Sequence, residues 1–375
     1  MFDPIRNPRL LRLWVLWNRL RRKFVRESSA HEEADRQLSA FYERAWRDAA
    51  AQIGATIHEL GSNLFEIRLG TRRTRVWHHY TALDSLVDHH TVRTKGVMHR
   101  LLAAHGLPSP RHLEITLDDL APAVRFLEST DRPCVIKPAC GTGGGVGVVT
   151  GIRTRWQLAR AAWAASVSGD HPIIEEQVEG ENYRLLYLDG ELLDVVRREP
   201  PGVVADGTST VRELLERVNR ERLQQQGAVS HGQLTLNLDV HTTLQRQGLT
   251  LHSVPAAGTR VRLKTVINEN SSLENVTARD ELCPEILREA AQAVELSGLR
   301  LAGVDIITAD PRRSLRDSGG VILEVNSPPG FFWHYHKRDG SFPIALYILR
   351  ALFDLRGEPA PPVDYLSGSP QPLRV

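Results

Sequence analysis

The chain has 375 residues, 41% of them hydrophobic and 25% charged, with a formal net charge of +2. That length holds a sizeable core and suggests two or three lobes; the charge balance gives no support to nucleic-acid binding by the body. The three cysteines, Cys134, Cys140 and Cys283, have no paired spacing, which excludes a disulfide framework or zinc site and fits a reducing cytoplasm.

Charge is unevenly spread. Residues 1–26 hold eight Arg and Lys against one acid, Asp3, a local +7 that leaves −5 for the rest. In the same stretch Leu10, Leu13, Trp14, Trp17, Leu20 and Phe24 recur at three- and four-residue steps, with Arg12, Arg19 and Arg26 opposite. This is the pattern of an amphipathic helix over residues 1–27. Its longest apolar run, Leu13 to Trp17, is far short of the ~20 residues that span a bilayer. Nor does it carry a secretory h-region with a small-residue cleavage site. Two uses stay open for residues 9–26. Docking on the body or on a partner chain is favoured because it is commoner; lying on an anionic membrane surface is the other.

Residues 28–130 read as a small α/β lobe. "EEADRQLSAFYERAWRDAAAQIG" is helical, and "ATIHEL" and "LFEIRLG" are short strands. "TVRTKGVMHRLLAAHGLPSP" is a helix closed by Gly106 with Pro108 beyond it. From residue 131 the signals sharpen. "PCVIKP" is a strand ended by Pro138, "GTGGGVGVV" a glycine-rich loop, and "TRWQLARAAWAASVSG" a helix. Asp189-Gly190 between two apolar runs marks a hairpin, and Thr210 with Glu213 forms a capping box. "SLVDHH" and "QQQGAVSHGQ" read as loops. Pro284 opens and Gly298 closes a helix. The strands "LAGVDIITAD" and "GVILEVN" follow, joined by a polar loop. No repeat at a solenoid period appears. The fold class is α/β, with two lobes at about 131–180 and 181–355 and a Pro-rich tail over 356–375.

The chemistry concentrates in "VILEVNSPPG". Strand side chains alternate, so Glu324 and Asn326 share one face while Leu323 and Val325 take the other. Asp305 interrupts "AGVDIITAD" in the same way. If the two strands pair, Asp305 and Glu324 converge. Carboxylates about 5 Å apart repel by about 3 kcal/mol at an effective dielectric of 20, so they need a cation or a shared proton. Two carboxylates and an amide oxygen are a hard donor set suited to Mg²⁺ with phosphate. The alternative is that Glu324 pairs with an arginine and Asn326 caps the turn. Upstream, Lys137 precedes a loop containing Gly141, Gly143, Gly144, Gly145 and Gly147. Such backbone can approach phosphate closely, and Lys adds a point charge. The run matches neither Walker A nor G-x-G-x-x-G, and alone it is equally a flexible turn.

Taken together, Lys95 in "TKGVMHRLL", Lys137 in "VIKP", the glycine loop, "IIEEQVEGENYRLL", "GVDII" and "ILEVNSPPG" resemble the motifs of ATP-grasp ligases in order and spacing. The resemblance is strongest to the ATP-grasp part of cyanophycin synthetases and covers roughly residues 90–350. It implies an ATP-grasp fold, two α/β lobes gripping ATP, with a small N-terminal pre-ATP-grasp lobe. It implies that Lys95 and Lys137 contact the α- and β-phosphates and that Gly143, Gly144, Gly145 and Gly147 close over them. The Glu175 side chain and the backbone of Glu176 and Val178 would read adenine, with Asn182 on the ribose. Asp305, Glu324 and Asn326 would hold two Mg²⁺ ions, for which Mn²⁺ can substitute. The implied activity is amide formation between a small-molecule carboxylate and an amine through an acyl phosphate, with Arg184 and Lys264 as catalytic cations. The rival readings are a kinase and a silent nucleotide-binding module. A homodimer is common in such a family, and nucleic acid is not an expected partner.

The chain departs from that pattern in four places. Asn182 stands where relatives carry an acid, and "NENSSLENVT" lacks their paired glycines. "FFWHYHKRDG" is more aromatic, so Phe331, Phe332, Trp333, His334 and His336 either line an acceptor pocket or anchor the last helix. No Mur-ligase-like half is present, so one kind of ligation is expected. His78–His79 and His89–His90 are adjacent pairs rather than i,i+4 pairs and read as ordinary loop histidines. Cys140 reads as a small buried residue.

Overall fold

The computed structural model describes residues 29–139, 147–168, 171–224, 234–236, 238–265, 267 and 272–355. The basic leader, Cys140, Gly143, Gly144, Gly145, all of the predicted loop at 224–233 except Gln224, and the Pro-rich tail lie outside those residues. No described helix is long and apolar enough to cross a membrane.

The N-terminal lobe begins with α1 (Ser29–Gln52) and an antiparallel sheet, β1 (Thr56–Gly61), β2 (Leu64–Leu69) and β3 (Arg72–Trp77). On α1, Tyr42, Ala45, Trp46 and Ala49 recur at three- and four-residue steps and bury against Phe65, Ile67 and Val76. Next come α2 (Leu86–Arg93) and α3 (Lys95–Ala104). The stretch "SLVDHH", expected as a loop, is instead the start of α2. Ser85 Oγ accepts from the Asp88 amide and Asp88 Oδ2 accepts from the Ser85 amide, a capping box that outweighs the weak apolar periodicity.

A four-stranded antiparallel sheet follows, built from β4 (His112–Glu114), β5 (Cys134–Pro138), β6 (Val149–Ile152) and β7 (Pro172–Glu176), in the order β4-β7-β5-β6. It is covered by α4 (Ala121–Glu128) and α5 (Arg155–Ser168). This corrects the expected boundary at 130/131. β4 pairs with β7, and Ile115, Leu120, Phe126 and Leu127 share one core with Ile136, Leu158 and Ile174, so the lobe starts before His112.

The largest sheet is five-stranded and antiparallel, in the order β12-β9-β8-β13-β14. Its strands are β8 (Glu181–Leu188), β9 (Glu191–Arg198), β12 (Asn275–Thr277), β13 (Leu301–Thr308) and β14 (Val321–Asn326). The β8–β9 turn is Asp189-Gly190, with φ of 51° and 81°, the two positive values a type I′ hairpin requires. Between β9 and β12 lies a module with its own core, the ribbon β10 (Gly202–Val204) and β11 (Arg260–Arg262) with α6 (Val211–Gln224) and α7 (Leu238–Arg246). The Thr210–Glu213 capping box is present there. The remaining helices are α8 (Pro284–Ser297), α9 (Leu315–Ser318) in the predicted polar loop, α10 (Phe332–Tyr335) and α11 (Ile344–Leu352).

Alternation along β8 decides what each face of this sheet does. Tyr183, Leu185 and Tyr187 join Val304 and Ile306 under α8, against Met98 and Leu102 of α3. On the other face Leu186, Leu188 and Leu301 pack into the N-terminal lobe. Asn182 and Arg184 share that second face but lie beyond the covering lobe. Half the face is core; the other half lines a cleft.

Candidate active site

Antiparallel pairing sets Asp305 of β13 opposite both Arg184 of β8 and Glu324 of β14. The expected convergence of the two carboxylates therefore occurs, and each already has a cation. Arg184 grips both Asp305 oxygens, through Nε to Oδ1 and Nη2 to Oδ2. Lys95 Nζ lies 3.0 Å from Glu324 Oε1. Asn326 Nδ2 donates to Asp305 Oδ2 at 3.1 Å, so its amide points at the carboxylates instead of capping the turn. Burial alone would raise the Asp305 pKa. The charge and hydrogen bonds of Arg184, then Arg198 and Asn326, reverse that and hold it below the usual carboxylate range. Room for Arg184 comes from Gly303, where a Cβ would sit 3.1 Å from Arg184 Cδ and from Pro329 Cβ.

The second wall comes from the four-stranded sheet. Glu175 of β7 and Lys137 of β5 lie on one face, with Lys137 Nζ 2.7 Å from Glu175 Oε2. Both are buried. His99, on α3, points into this pair. Its Nε2 lies 3.2 Å from the Leu323 carbonyl, which can only accept, so Nε2 carries the proton and Nδ1 is an acceptor. Burial pulls the ring pKa down to about 4, with Glu175 opposing and Lys137 assisting; the ring is neutral at pH 7. Nδ1 then faces Glu175 Oε1 at 3.7 Å, and neither buried atom has a hydrogen-bond partner among the described residues. Two acceptors await a donor.

Both walls open on one cleft of about 1460 Å³. Among its described lining residues are Lys95, Lys137, Glu175, Glu176, Val178, Asn182, Arg184, Asp305, Glu324 and Asn326. Gly147 is not among them; with φ at 79° it sits in the left-handed region beside the start of β6. Gly143, Gly144 and Gly145 lie outside the described residues. Lys264 is the exception to the convergence. It is buried and donates to Thr235 Oγ1 at 3.2 Å, and it does not line the cleft, although Thr265 and Ile267 do. The linker between the sheets passes flush against β13: at Gly180, φ 143°, a Cβ would fall 2.3 Å from the Thr308 carbonyl.

Three features escaped sequence reading. His99 is a lone histidine on an amphipathic helix. Arg198 sits in "VVRREP", which reads as a charged strand end, yet it lines the cleft with Arg184. Burial draws its pKa down to about 10, opposed by Asp305, so it stays charged. His79 lines the cleft, and His89 reaches Ser327 behind its wall. The aromatic "FFWHYHKRDG" does not line the cleft; Phe331 and Phe332 pack edge-on against Tyr42 and Phe41 of α1 at ring-centroid distances of 4.9 and 4.8 Å. The lining holds nine Arg and Lys against seven Asp and Glu, an excess that suits a polyanion.

No family model matches the chain. Among solved structures, the bifunctional glutathione synthetase from Pasteurella multocida superposes with a TM-score of 0.54 at 24% identity, covering 80% of this chain and 42% of that one. The chain has the ATP-grasp fold. Among curated relatives, this ATP-grasp chain is 34% identical over 283 residues to cyanophycin synthetase of Trichormus variabilis, 74% of this chain and 31% of that protein. It is 30% identical over 281 residues to the glutathione biosynthesis bifunctional protein of Mannheimia succiniciproducens, 73% of this chain and 37% of that one. It thus spans about a third of the length of these relatives.

Proposed function

We propose that this chain is an ATP-dependent ligase that joins the carboxylate of an amino acid, peptide or related metabolite to an amine, through an acyl phosphate. The observation that carries the reading is the meeting of Asp305, Glu324 and Asn326 with Lys95, Lys137, Arg184 and Arg198 in one cleft between two antiparallel sheets.

The nucleotide fits what the residues offer. Glu175 Oε1 and His99 Nδ1, buried acceptors without donors, suit the exocyclic amine of adenine. The backbone of Glu176 and Val178 lies alongside, and the Asn182 amide can bond ribose hydroxyls. Lys95 and Lys137 supply charge for the phosphates. Asp305, Glu324 and the amide oxygen of Asn326 would be the hard oxygen donors for magnesium. Two Mg²⁺ ions, or Mn²⁺, held there would neutralise charge on the β- and γ-phosphate oxygens.

In this reading the substrate carboxylate forms a bond to the γ-phosphorus, and the bond to the β,γ-bridging oxygen breaks as ADP leaves. An amine then bonds the acyl carbon and phosphate departs with the electron pair. An anion approaching a polyanion is repelled, so fixed cations govern the barrier. Arg184 is held in place by both Asp305 oxygens, and Arg198 remains charged beside it. These two face the reacting atoms, and Lys264, held on Thr235, orders the segment running to Thr265.

Incubation with ATP, Mg²⁺ and pooled amino acids and dipeptides, read by mass spectrometry, tests the proposal. Amide products with stoichiometric ADP are expected, and Glu324→Gln loses both. A stable phosphorylated product formed without an amine would mean a kinase instead.

A further inference from the structure

One stretch of the cleft lining takes no part in holding the nucleotide or its metal. It is formed by His79 and Tyr80 after β3, Arg93 at the end of α2, and Ser327 and Pro328 after β14. Ser327 directly follows Asn326, and both residues line the cleft. It is 8% exposed, and its Oγ lies 2.8 Å from His89 Nδ1.

His89 is not a lining residue and reaches the cleft only through that hydroxyl. It occupies the first turn of α2, whose start is pinned by the Ser85–Asp88 capping box, so a helix rather than a loop sets the ring. With Nδ1 unprotonated, the single Ser327 proton points at the ring and the oxygen lone pairs are left to accept. Asp84, a carboxylate that interacts electrostatically with His89, is taken up by the amides of Arg300 at 2.6 Å and Leu301 at 3.3 Å. On the same wall His79 Nδ1 is buried without a partner among the described residues, and burial with the neighbouring histidines keeps the ring neutral, near pKa 4. Arg93 is exposed there and forms no ion pair with a described residue. The wall therefore offers a hydroxyl oxygen and a neutral imidazole within the cleft lining, with an exposed cation beside them.

We propose that this wall is the subsite of the amine co-substrate, with Ser327 Oγ accepting a hydrogen bond from the attacking amine and His89 positioning that hydroxyl. Arg93 pairs with a carboxylate on the same molecule, so the amine is an amino acid or a peptide rather than a simple alkylamine. The assignment rests on the ligase reading above. In the step it serves, the amine nitrogen bonds the acyl carbon, the carbon–oxygen bond to phosphate breaks with its electrons on phosphate, and the amine proton leaves with the phosphate.

The test uses hydroxylamine, which is small enough to capture an acyl phosphate without this wall. The full chain and its Ser327→Ala, His89→Phe, His89→Gln and Arg93→Ala variants receive ATP, Mg²⁺, and pooled amino acids and dipeptides. Each is run with and without hydroxylamine, and amides and hydroxamates are counted by mass spectrometry. The amide-to-hydroxamate ratio should fall about tenfold in Ser327→Ala and His89→Phe, the scale of one lost hydrogen bond of about 1.4 kcal/mol. His89→Gln, whose side-chain oxygen still accepts from Ser327, should restore most of it. Arg93→Ala should raise KM for acceptors with a free carboxylate and not for their amides. An unchanged ratio in both Ser327→Ala and His89→Phe overturns the assignment. So does an equal fall in His89→Gln, because the ring would then matter for packing alone. If the unaltered chain makes neither amide nor hydroxamate, the ligase reading fails first and takes the subsite with it.

Discussion

Lys95 Nζ stands 3.0 Å from Glu324 Oε1, tying the first residue of α3 to β14. The lysine side chain is 10% exposed and the glutamate 29%, so Glu324 can hydrate if its partner is lost, whereas Lys95 is held by the fold. A contact of that kind serves charge placement more than stability. Lys95→Met keeps the volume and removes the charge. ATP turnover, measured as ADP release, should drop by about 10²–10³, while the thermal midpoint moves by only a few degrees. A midpoint collapse with turnover per folded molecule intact would make Lys95 structural.

If the proposed nucleotide reading holds, the two orphan acceptors, His99 Nδ1 and Glu175 Oε1, would select a donor at the same edge of the base. Adenine presents an amine there and guanine a carbonyl, which would leave three acceptors facing one another. We expect kcat/KM for ATP over GTP to exceed about 10², since sites that leave buried polar groups unpaired reject strongly. Glu175→Gln can turn an N–H towards that edge and should narrow the ratio. Equal use of both nucleotides by the unaltered chain would show that neither acceptor reads the base.

How far the site was legible in sequence follows from how local its signals are. Asp305 and Glu324 stood out because a carboxylate in a period-two apolar run is a local anomaly, and pairing of the two strands brought them opposite each other. Lys137 was visible for the same reason. His99 was not, because one histidine on an amphipathic helix carries no sign of what packs over it; its meaning arises from Leu323 and Glu175, which lie far along the chain. Arg198 reads as a solvated strand end until β9 is placed beside β8. The loop assigned to "SLVDHH" failed because Leu86 and Val87 at its start are exposed, so helical periodicity is weak there, while the Ser85–Asp88 box was present in the letters. β4 was missed because three residues are too few for any pattern, and only its partner β7 defines it.

His99 also predicts how stability responds to pH. Its folded pKa, about 4, lies below the ordinary value of 6.5, so between those values the unfolded chain binds the extra proton. Stability contributed by the neutral ring is therefore complete above about pH 6.5 and is lost progressively as pH falls towards 4. A shift of that size corresponds to about 3 kcal/mol. Urea unfolding at pH 7 and pH 5 should show the loss, and His99→Gln should flatten the difference. An identical pH slope in the variant would assign the acid sensitivity to other groups, such as His79 and His336, which burial also lowers to about 4.

A buried cluster away from the cleft lining should behave in the opposite way to Lys95. Asp194 of β9 accepts from Lys337 Nζ at 3.0 Å and is bonded to His334 Nδ1 at 2.7 Å, with all three side chains no more than 2% exposed. Burial raises the Asp194 pKa, but His334 and then Lys337 outweigh it and hold the carboxylate below its usual range. Asp194→Asn leaves the Lys337 ammonium buried without a counter-charge, a change that typically costs about 3–5 kcal/mol. Removing the ammonium as well, in Asp194→Asn with Lys337→Met, takes away the stranded charge and should recover a large part of the loss. Chemical denaturation of the two variants measures this directly. If the single variant is as stable as the unaltered chain, Lys337 reaches water when Asp194 is neutralised, and the cluster does not tie α10 to β9.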